Sequence, residues 1–180
     1  MEFKIKPYKL YIISGKAQSG KDTIATIIKE YYEQKNLKVI TLAYASYLKE
    51  YAKKITNWDG KEETKPRELL QNLGVELIKN NIDKNMLINR IKEDIKVYSY
   101  FFDIIIITDA RFKEEIENIE ETKTVIHVSR NQTNLTEKQK IHKTEISLDE
   151  YQNYDYDIKN NGTIEELKIK IIKILEEIKW

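Results

Sequence analysis

The chain of 180 residues contains no cysteine, only two prolines and five glycines, and its charges almost cancel. The absence of cysteine excludes disulfide bonds, thiol catalysis and cysteine-based metal sites. A formal net charge of +1 gives no electrostatic argument for a nucleic-acid polymer or a membrane as a partner. No apolar run approaches the length of a membrane span, and residues 1–7 lack the apolar core of a signal peptide. We therefore expect a soluble, cytoplasmic protein, and a homodimer is compatible with the sequence.

Because glycine is scarce, the segment that holds two of the five glycines is informative. Residues 15–23 follow an apolar strand-like run and lead directly into a helix-like run. A strand, a loop of the pattern Gly-x-x-x-x-Gly-Lys and a helix form the arrangement of a phosphate-binding loop. Backbone N–H groups of such a loop surround phosphate oxygens, the helix N-terminus adds positive potential, and Lys21 supplies a mobile charge. The alternative is an ordinary strand–helix turn with a solvated lysine.

Asp22 departs from the common form of this loop. The residue after the lysine is ordinarily Ser or Thr, whose hydroxyl holds Mg²⁺. A carboxylate beside a triphosphate is repelled unless it faces Mg²⁺, directly or through water, or a cationic or hydroxyl-bearing group. We interpret Asp22 as a metal or substrate contact; the alternative is an acidic residue placed favourably against the helix dipole. The candidate nucleotide contacts in the loop are Gly15, Ala17, Ser19, Gly20, Lys21, Asp22 and Thr23.

Strand and helix patterns alternate along the chain. Strands are predicted at residues 9–14, 38–42, 103–108, 124–129 and 156–159, and helices at about 20–34, 113–121 and 163–179. Residues 43–100 are mostly helical in period, with apolar faces formed by Leu69, Leu70, Leu73, Leu77 and Ile78 and by Leu87, Ile88, Ile91 and Ile95. The third strand is apolar at consecutive positions, which is typical of a central strand buried on both faces. This order predicts an α/β fold with a five-stranded parallel sheet and helices on both faces.

Asp109 and Arg111 follow the third strand, at the edge of the sheet where parallel folds bind ligands. An acidic residue there suits a Mg²⁺-bound water or a substrate contact, and the fixed fork of an arginine suits the oxygens of a transferring phosphoryl group. We interpret both residues as catalytic. In the alternative interpretation, Asp109 caps the next helix and Arg111 pairs with Glu114 or Glu115.

The helical stretch carries candidate contacts for a phosphorylated acceptor. Arg67 and Gln71 lie one turn apart and share a helix face, so a cation and an amide can grip the phosphate and base of a nucleoside monophosphate. Trp58 is a candidate to stack on the base, and Lys61 is grouped with these substrate contacts. The alternative is an amphipathic helix with a solvated polar side.

Two further candidates lie near the predicted adenine position. Arg130 follows the fourth strand and is a candidate to stack on adenine or to contact phosphates. Asn161 lies in a turn that, in this fold class, is close to a bound adenine. Thr163 is predicted to begin the last helix in a capping box with Glu166.

We expect one domain over residues 1–180, in which residues 43–100 form an acceptor-binding insertion and residues 131–148 a short lid. The first part of that lid segment has few apolar anchors, so a surface connection is the alternative. His127 and His142 are interpreted as structural, because phosphoryl transfer between phosphates needs no general-base histidine.

Four segments, at residues 19–23, 67–74, 108–115 and 160–163, resemble in this order the bacteriophage-type deoxynucleoside monophosphate kinases. The resemblance covers nearly the whole chain, and residues 142–145 are similar to a His-x-Ser/Thr-Glu segment of that family. The Ser-Gly-Lys-Asp part of the loop is also shared with animal-type phosphomevalonate kinases. The second and third segments point to the nucleotide kinases.

The resemblance implies a P-loop kinase fold, ATP and Mg²⁺ as cosubstrates, and a deoxynucleoside monophosphate (dNMP) as the acceptor. It implies Lys21, Asp22 and Thr23 at the phosphates and metal, Asp109 and Arg111 at the reacting centre, and Arg67 with Gln71 toward the acceptor. Two other functions stay open: a kinase of another small phosphate ester, such as phosphomevalonate, and a non-catalytic nucleotide-binding module. The absence of an Asn-Lys-x-Asp element counts against a GTPase.

Overall fold

The structure, a computed structural model, describes residues 3, 4, 6–131 and 143–178. Its strands are β1 (Lys9–Ser14), β2 (Val39–Leu42), β3 (Ile104–Ala110), β4 (Lys123–Ser129) and β5 (Tyr156–Lys159). Its α-helices are α1 (Lys21–Glu33), α2 (Tyr44–Thr56), α3 (Arg67–Asn72), α4 (Met86–Tyr98), α5 (Lys113–Glu117), α6 (Lys143–Ile146) and α7 (Ile164–Glu177). A π-helical segment, Leu73–Ile82, continues α3 without a break.

The five strands form one parallel sheet in the order β2-β3-β1-β4-β5. The predicted α/β fold with a five-stranded parallel sheet is therefore confirmed, and the predicted strands agree with the observed ones to within two residues at each end. Parallel neighbours need crossover connections, which the helices between the strands supply. None of the helices in the described ranges is both long and apolar enough to cross a membrane.

The sheet has a separate apolar core on each face. Helices α1 and α7 pack on one face, and α2, α4 and α5 pack on the other. In β3, Ile104 and Ile106 point to the first core while Ile105 and Ile107 point to the second, and all four are fully buried. Side chains alternate between the faces of a strand, so a strand covered on both faces is apolar at every position.

One predicted core position is wrong. Leu77 was expected on the apolar face of the helical stretch, but it is 46% exposed, whereas Val75 is buried. The reason is the π-helical geometry of Leu73–Ile82: its wider i→i+5 turn changes the angle between successive side chains, so a 3.6-residue period points to the wrong face. The predicted faces are otherwise buried or half-buried, including Ile88, Ile91 and Ile95 of α4.

The parallel arrangement brings three polar segments to one edge of the sheet. β1 leads into residues 15–20, β3 ends beside Asp109 and Arg111, and β4 ends directly before Arg130. Since the carboxyl ends of parallel strands lie at the same edge, residues far apart in sequence converge there. The candidate site is built at this edge.

Candidate active site

The loop between β1 and α1 adopts a tightly curled backbone. Gly15, Gln18 and Gly20 have φ angles of 148°, 61° and 107°. A Cβ atom at Gly15 would collide with the Val128 carbonyl oxygen, and one at Gly20 would collide with the Asn160 side-chain amide. Left-handed residues interspersed in such a loop direct backbone N–H groups into a concavity that binds anions.

Lys21, the first residue of α1, lies across the mouth of this loop. Its Nζ donates to the Gly15 carbonyl oxygen at 2.8 Å and to the Lys16 carbonyl oxygen at 2.7 Å. Burial, together with the nearby Arg111 cation, lowers the pKa of Lys21 to about 8. A largely desolvated ammonium held at the loop is a strong attractant for phosphate, because an anion restores the solvation that burial removes.

A buried hydroxyl group of the loop is also available to donate a hydrogen bond to a phosphate oxygen. The Ser19 hydroxyl is fully buried and has no hydrogen-bond partner among the described residues. A buried hydroxyl without a partner costs free energy, which a phosphate oxygen at this position would recover. The curled backbone, Lys21 and Ser19 together form a concavity whose charge and donors fit a phosphate group, and nucleotide binding by these residues stays a prediction.

Asp22 and Thr23 lie on the first turn of α1. Asp22 is exposed and Thr23 is half-buried. No group of three or more His, Asp or Glu side chains that could hold a metal exists within the described ranges. A Mg²⁺ ion bound through one carboxylate or hydroxyl plus substrate phosphates needs no such group. The residues present therefore suit a Mg²⁺ ion that is bound mainly by the phosphates of a nucleotide. The metal contact of Asp22 stays a prediction.

Asp109 caps a helix, although not the helix that follows it. The backbone N–H groups of Tyr44 and Ala45, at the start of α2, donate to its two carboxylate oxygens at 2.8 and 2.9 Å. Burial raises the pKa of Asp109, and these two hydrogen bonds oppose the rise. The alternative interpretation, in which Asp109 caps the next helix, is therefore wrong: α5 is capped by Glu115, which accepts from the Arg111 and Phe112 amides at 2.7 and 3.1 Å. A catalytic role of Asp109 stays a prediction.

Arg111 pairs with a residue that the sequence did not single out. Its guanidinium contacts the Glu145 carboxylate, not Glu114 or Glu115 as the alternative interpretation had it. The second oxygen of Glu145 accepts a hydrogen bond from the Ala17 N–H of the phosphate loop at 2.7 Å. Only the similarity of residues 142–145 to a family segment drew attention to this region, and no local pattern revealed the pairing.

A cavity of about 200 Å³ lies beside the loop. Ala17, Asp109 and Arg111 line it on the side of the sheet, and Arg67 and Gln71 line it from α3. Its remaining wall is partly apolar and partly charged. It includes Leu48, Leu70, Val75, Ile78 and Leu87, the cations Lys49, Lys65, Lys79 and Lys84, and the carboxylates Glu114, Glu115 and Glu145. A concave site with an apolar lining and polar groups that converge on it is the usual form of a small-molecule site, and this cavity has more charged groups than most.

Two predicted substrate contacts lie outside this cavity. The Trp58 indole N–H donates to the Lys61 carbonyl oxygen at 3.1 Å and lies near the Thr64 hydroxyl, and the ring packs against the small core of α2 and α3. The Lys61 ammonium pairs with Asp59 at 3.2 Å. The structure gives neither residue a place among the lining side chains, because the loop before α3 folds back on itself.

The predicted adenine contacts lie on the other side of the loop. Arg130 lines a second cavity together with Lys16 and Ser19. Asn161 accepts from the Asn131 N–H at 2.9 Å. Its neighbour Asn160 is the residue that contacts the loop, where its side-chain amide donates to the Ser19 carbonyl oxygen at 2.9 Å.

The interpretation of His127 as a structural residue agrees with its surroundings. Its ring stacks on Tyr154 with the ring centroids 4.5 Å apart, and its Nδ1 lies 2.7 Å from an Asp157 carboxylate oxygen. Both partners come from the β5 region, so His127 ties β4 to its neighbour. His142 lies outside the described residues.

Several solved structures are similar to this chain in fold. A Mycobacterium tuberculosis APS kinase in complex with AMPPNP and APS matches 95% of this chain and 99% of its own, with 12% identity and a TM-score of 0.54. A sugar kinase from Janibacter sp. HTCC2649 matches 94% and 95%, with 12% identity and a TM-score of 0.58. Shikimate kinase from Bacteroides thetaiotaomicron matches 93% and 98%, with 13% identity and a TM-score of 0.53. At these identities the likeness concerns the fold, which is that of the P-loop kinases.

A family model described as deoxynucleotide monophosphate kinase matches residues 41–171. The chain belongs to the deoxynucleotide monophosphate kinase family, as its motifs predict. The match begins after the phosphate loop, so the loop is an independent indication of nucleotide binding. No curated protein matches the chain. Family and fold together make this protein a kinase of a nucleotide or another small molecule.

Proposed function

We propose that this protein transfers the γ-phosphoryl group of ATP to the 5′-phosphate of a deoxynucleoside monophosphate. The observation that carries the proposal is that the phosphate loop forms part of the wall of the 200 Å³ cavity. Ala17 of the loop and Arg111 line the same cavity as Arg67 and Gln71. A phosphorylated acceptor in this cavity lies next to the terminal phosphate of a nucleotide held by the loop.

The charges of the cavity suit a phosphate monoester. Four lysines and two arginines line it, against four carboxylates, each of which already binds another group: Asp109 and Glu115 accept backbone N–H groups, Glu114 pairs with Lys79, and Glu145 binds Arg111. The excess of cations favours a dianionic acceptor. The family match supports a deoxynucleotide in particular.

The reaction requires positioning and charge neutralisation, with no covalent enzyme intermediate. A 5′-phosphate oxygen of the acceptor forms a bond to the γ-phosphorus. The bond from that phosphorus to the β–γ bridging oxygen breaks, its electron pair stays on ADP, and the products are ADP and a deoxynucleoside diphosphate. Lys21 and Arg111 stabilise the charge on the oxygens of the transferring group, while Arg67 and Gln71 hold the acceptor.

Mg²⁺ bound to the nucleotide would neutralise charge on the phosphates. Asp22, on the first turn of α1, is the residue of this chain that would hold it, while Thr23 would contact a phosphate. Arg130 and Asn161 remain the proposed contacts of the adenine, and Trp58 and Lys61 keep only the support of the sequence pattern.

A turnover assay tests the proposal. The four common dNMPs, their ribose counterparts and phosphomevalonate are each incubated with ATP and Mg²⁺, and ADP formation is measured together with the phosphorylated product. We expect turnover of at least one dNMP at a kcat/KM above that of phosphomevalonate. If no dNMP is phosphorylated, the proposed acceptor class is wrong.

The proposed organisation is one kinase domain with an acceptor-binding insertion at residues 43–100. The insertion receives support from the cavity, since α2, α3, the π-helical segment and α4 all contribute to its wall. The lid predicted at residues 131–148 falls largely outside the described residues and stays a prediction, as do cytoplasmic localisation and a homodimer.

A further inference from the structure

Glu145 is a buried carboxylate with two partners in the candidate active site. The residue is only 4% exposed. One carboxylate oxygen accepts from the Ala17 N–H at 2.7 Å, and the other contacts the Arg111 guanidinium. A buried charge is costly unless it is paired and hydrogen-bonded, and here both oxygens are satisfied by parts of the site.

The segment around Glu145 is attached to the same two parts by further contacts. The Ser147 hydroxyl donates to the backbone carbonyl oxygen of Arg111. The Lys16 ammonium of the loop pairs with Asp149 at 2.7 Å. The chain at 143–149 is therefore connected both to the phosphate loop and to the end of β3, while Glu145 supplies the buried connection between them.

The position of Glu145 relates this connection to phosphoryl transfer. Glu145 lines the cavity that contains Arg67 and Gln71, and it also lines the second cavity with Lys16 and Ser19 of the loop. Its carboxylate thus lies between the two spaces that the proposed function assigns to acceptor and nucleotide.

We propose that Glu145 is a positioning residue, whose carboxylate holds the Arg111 guanidinium and the Ala17 amide of the loop in one fixed relative arrangement for phosphoryl transfer. The proposal rests on the proposed function in one respect, that Arg111 contacts the transferring group. An arginine on a long side chain has many rotamers, and a fixed carboxylate restricts them before the substrates arrive. The gain belongs to the transition state, because a displacement of about 1 Å can cost about 100-fold in rate.

Glu145→Gln removes the charge that holds Arg111 but keeps an oxygen for the Ala17 N–H. We expect kcat for phosphoryl transfer to fall by about 10-fold or more, with the KM for ATP changed by less than about threefold. Glu150→Gln is the matched control, because Glu150 is an exposed residue directly after this segment and lines neither cavity. A kcat of Glu145→Gln within twofold of the wild type contradicts the proposal. An increase in kcat would also overturn it, since the carboxylate would then be an inhibitory occupant of the loop.

A double-mutant cycle distinguishes positioning from a general structural role. If Glu145 acts through Arg111, Glu145→Gln has little further effect once Arg111 is replaced by alanine: we expect less than about a threefold further loss. If the losses of the two single variants multiply, Glu145 acts independently of Arg111 and the proposal is wrong. The cycle is measured on dNMP phosphorylation and also on the slow transfer of the same phosphoryl group to water.

The hydrolysis cycle and an NMR measurement do not depend on the acceptor. Amide hydrogen exchange at Ala17 reports its hydrogen bond to Glu145 directly. We expect exchange to accelerate by about 10-fold or more in Glu145→Ala and to stay near wild type in Glu145→Gln and Glu150→Gln. Unchanged exchange in Glu145→Ala contradicts the proposal. A wild-type protein that hydrolyses ATP but phosphorylates no dNMP contradicts the proposed function alone. The hydrolysis cycle and the hydrogen exchange at Ala17 then still decide the role of Glu145.

Discussion

Lys21 combines burial with a charge to which the proposed function gives a role. Its ammonium is largely removed from water and donates to two carbonyl oxygens of the loop, in the place where phosphate oxygens are expected. This arrangement keeps the lysine oriented without a ligand, since the carbonyl oxygens carry only partial charge and cannot neutralise it. A phosphate is a better partner, so the exchange of partners favours nucleotide binding.

Replacing Lys21 by alanine should lower kcat/KM by on the order of 100-fold or more, because the charge matters most when the phosphoryl group is in transit. Steady-state kinetics with ATP and the preferred acceptor measure the loss. Lys29→Ala, an exposed lysine of the same helix, is the control and should keep near-normal rates. A near-normal rate for Lys21→Ala would remove the loop from the mechanism.

The pH dependence of the reaction follows from the same residue. The pKa of Lys21 is lowered to about 8 by burial first and by Arg111 second, against the charges of Glu145, Asp109 and Asp22, which raise it. Above that pH the free enzyme loses the cation, so kcat/KM for ATP should fall as pH rises past about 8. Bound phosphates raise the pKa again, so kcat itself should stay level to a higher pH. A kcat/KM that is flat from pH 7 to 9.5 would contradict this assignment.

Arg67 tests the acceptor side of the site. Its side chain lines the cavity and pairs with Glu62, which is not among the lining residues. Arg67→Ala should raise the KM for the acceptor by about 10-fold while leaving ATP binding intact, because a charge-assisted contact to the acceptor phosphate is lost. Arg90→Ala, an exposed arginine of α4 outside the cavity, is the matched control. An unchanged acceptor KM would argue against the assignment of Arg67.

At the scale of an element, α5 starts on a buried carboxylate. Glu115 is 9% exposed, and it accepts from the backbone amides of Arg111 and Phe112 at the start of this five-residue helix. Burial, more than any other cause, raises the pKa of Glu115 to about 8. The Glu115 carboxyl therefore fixes the backbone of Arg111. Its ionisation costs free energy, because the charge is buried.

This cost predicts how stability changes with pH. An unfolded glutamate has a pKa of about 4.3, so between about pH 4.3 and 8 the folded state binds more protons at Glu115 than the unfolded state. The contribution of Glu115 to stability is present below this window and is lost as pH rises through it. Glu115→Gln keeps an acceptor oxygen for both amides and should flatten this part of the pH dependence. Urea unfolding from pH 4.5 to 8.5, with Glu150→Gln as the control, measures the slope; an unaltered slope would show that Glu115 ionises normally.

At the scale of the whole molecule, the sheet depends on the strand that contacts both cores. Ile106 of β3 is fully buried, and Ile106→Ala should reduce the free energy of unfolding by about 2–5 kcal/mol through lost burial and a residual cavity. Ile169→Ala on the outer surface of α7, where the side chain is 69% exposed, should change it by less than about 0.5 kcal/mol. Chemical denaturation compares the two. Equal losses would mean that the buried sheet is not the main source of stability.

The sequence by itself determined the strands, the main helices, the parallel sheet and the phosphate loop. Each of these follows from local patterns: consecutive apolar residues in β3, a 3.6-residue period in α4 and α7, and a glycine-bounded turn before Lys21. Such patterns act over a few residues, so they can be read without knowledge of the fold. The capping box of Thr163 and Glu166 was predictable for the same reason, and the structure contains it.

Only the tertiary structure decided which polar side chains meet. Asp109 caps α2 from 65 residues away, and Arg111 pairs with Glu145 from 34 residues away. Asn160, not Asn161, reaches the phosphate loop. A long or charged side chain has several chemically equivalent partners within a sequence, and the strand order β2-β3-β1-β4-β5 selects among them by bringing certain strand ends together. The site is therefore a product of which segments meet at one edge of the sheet.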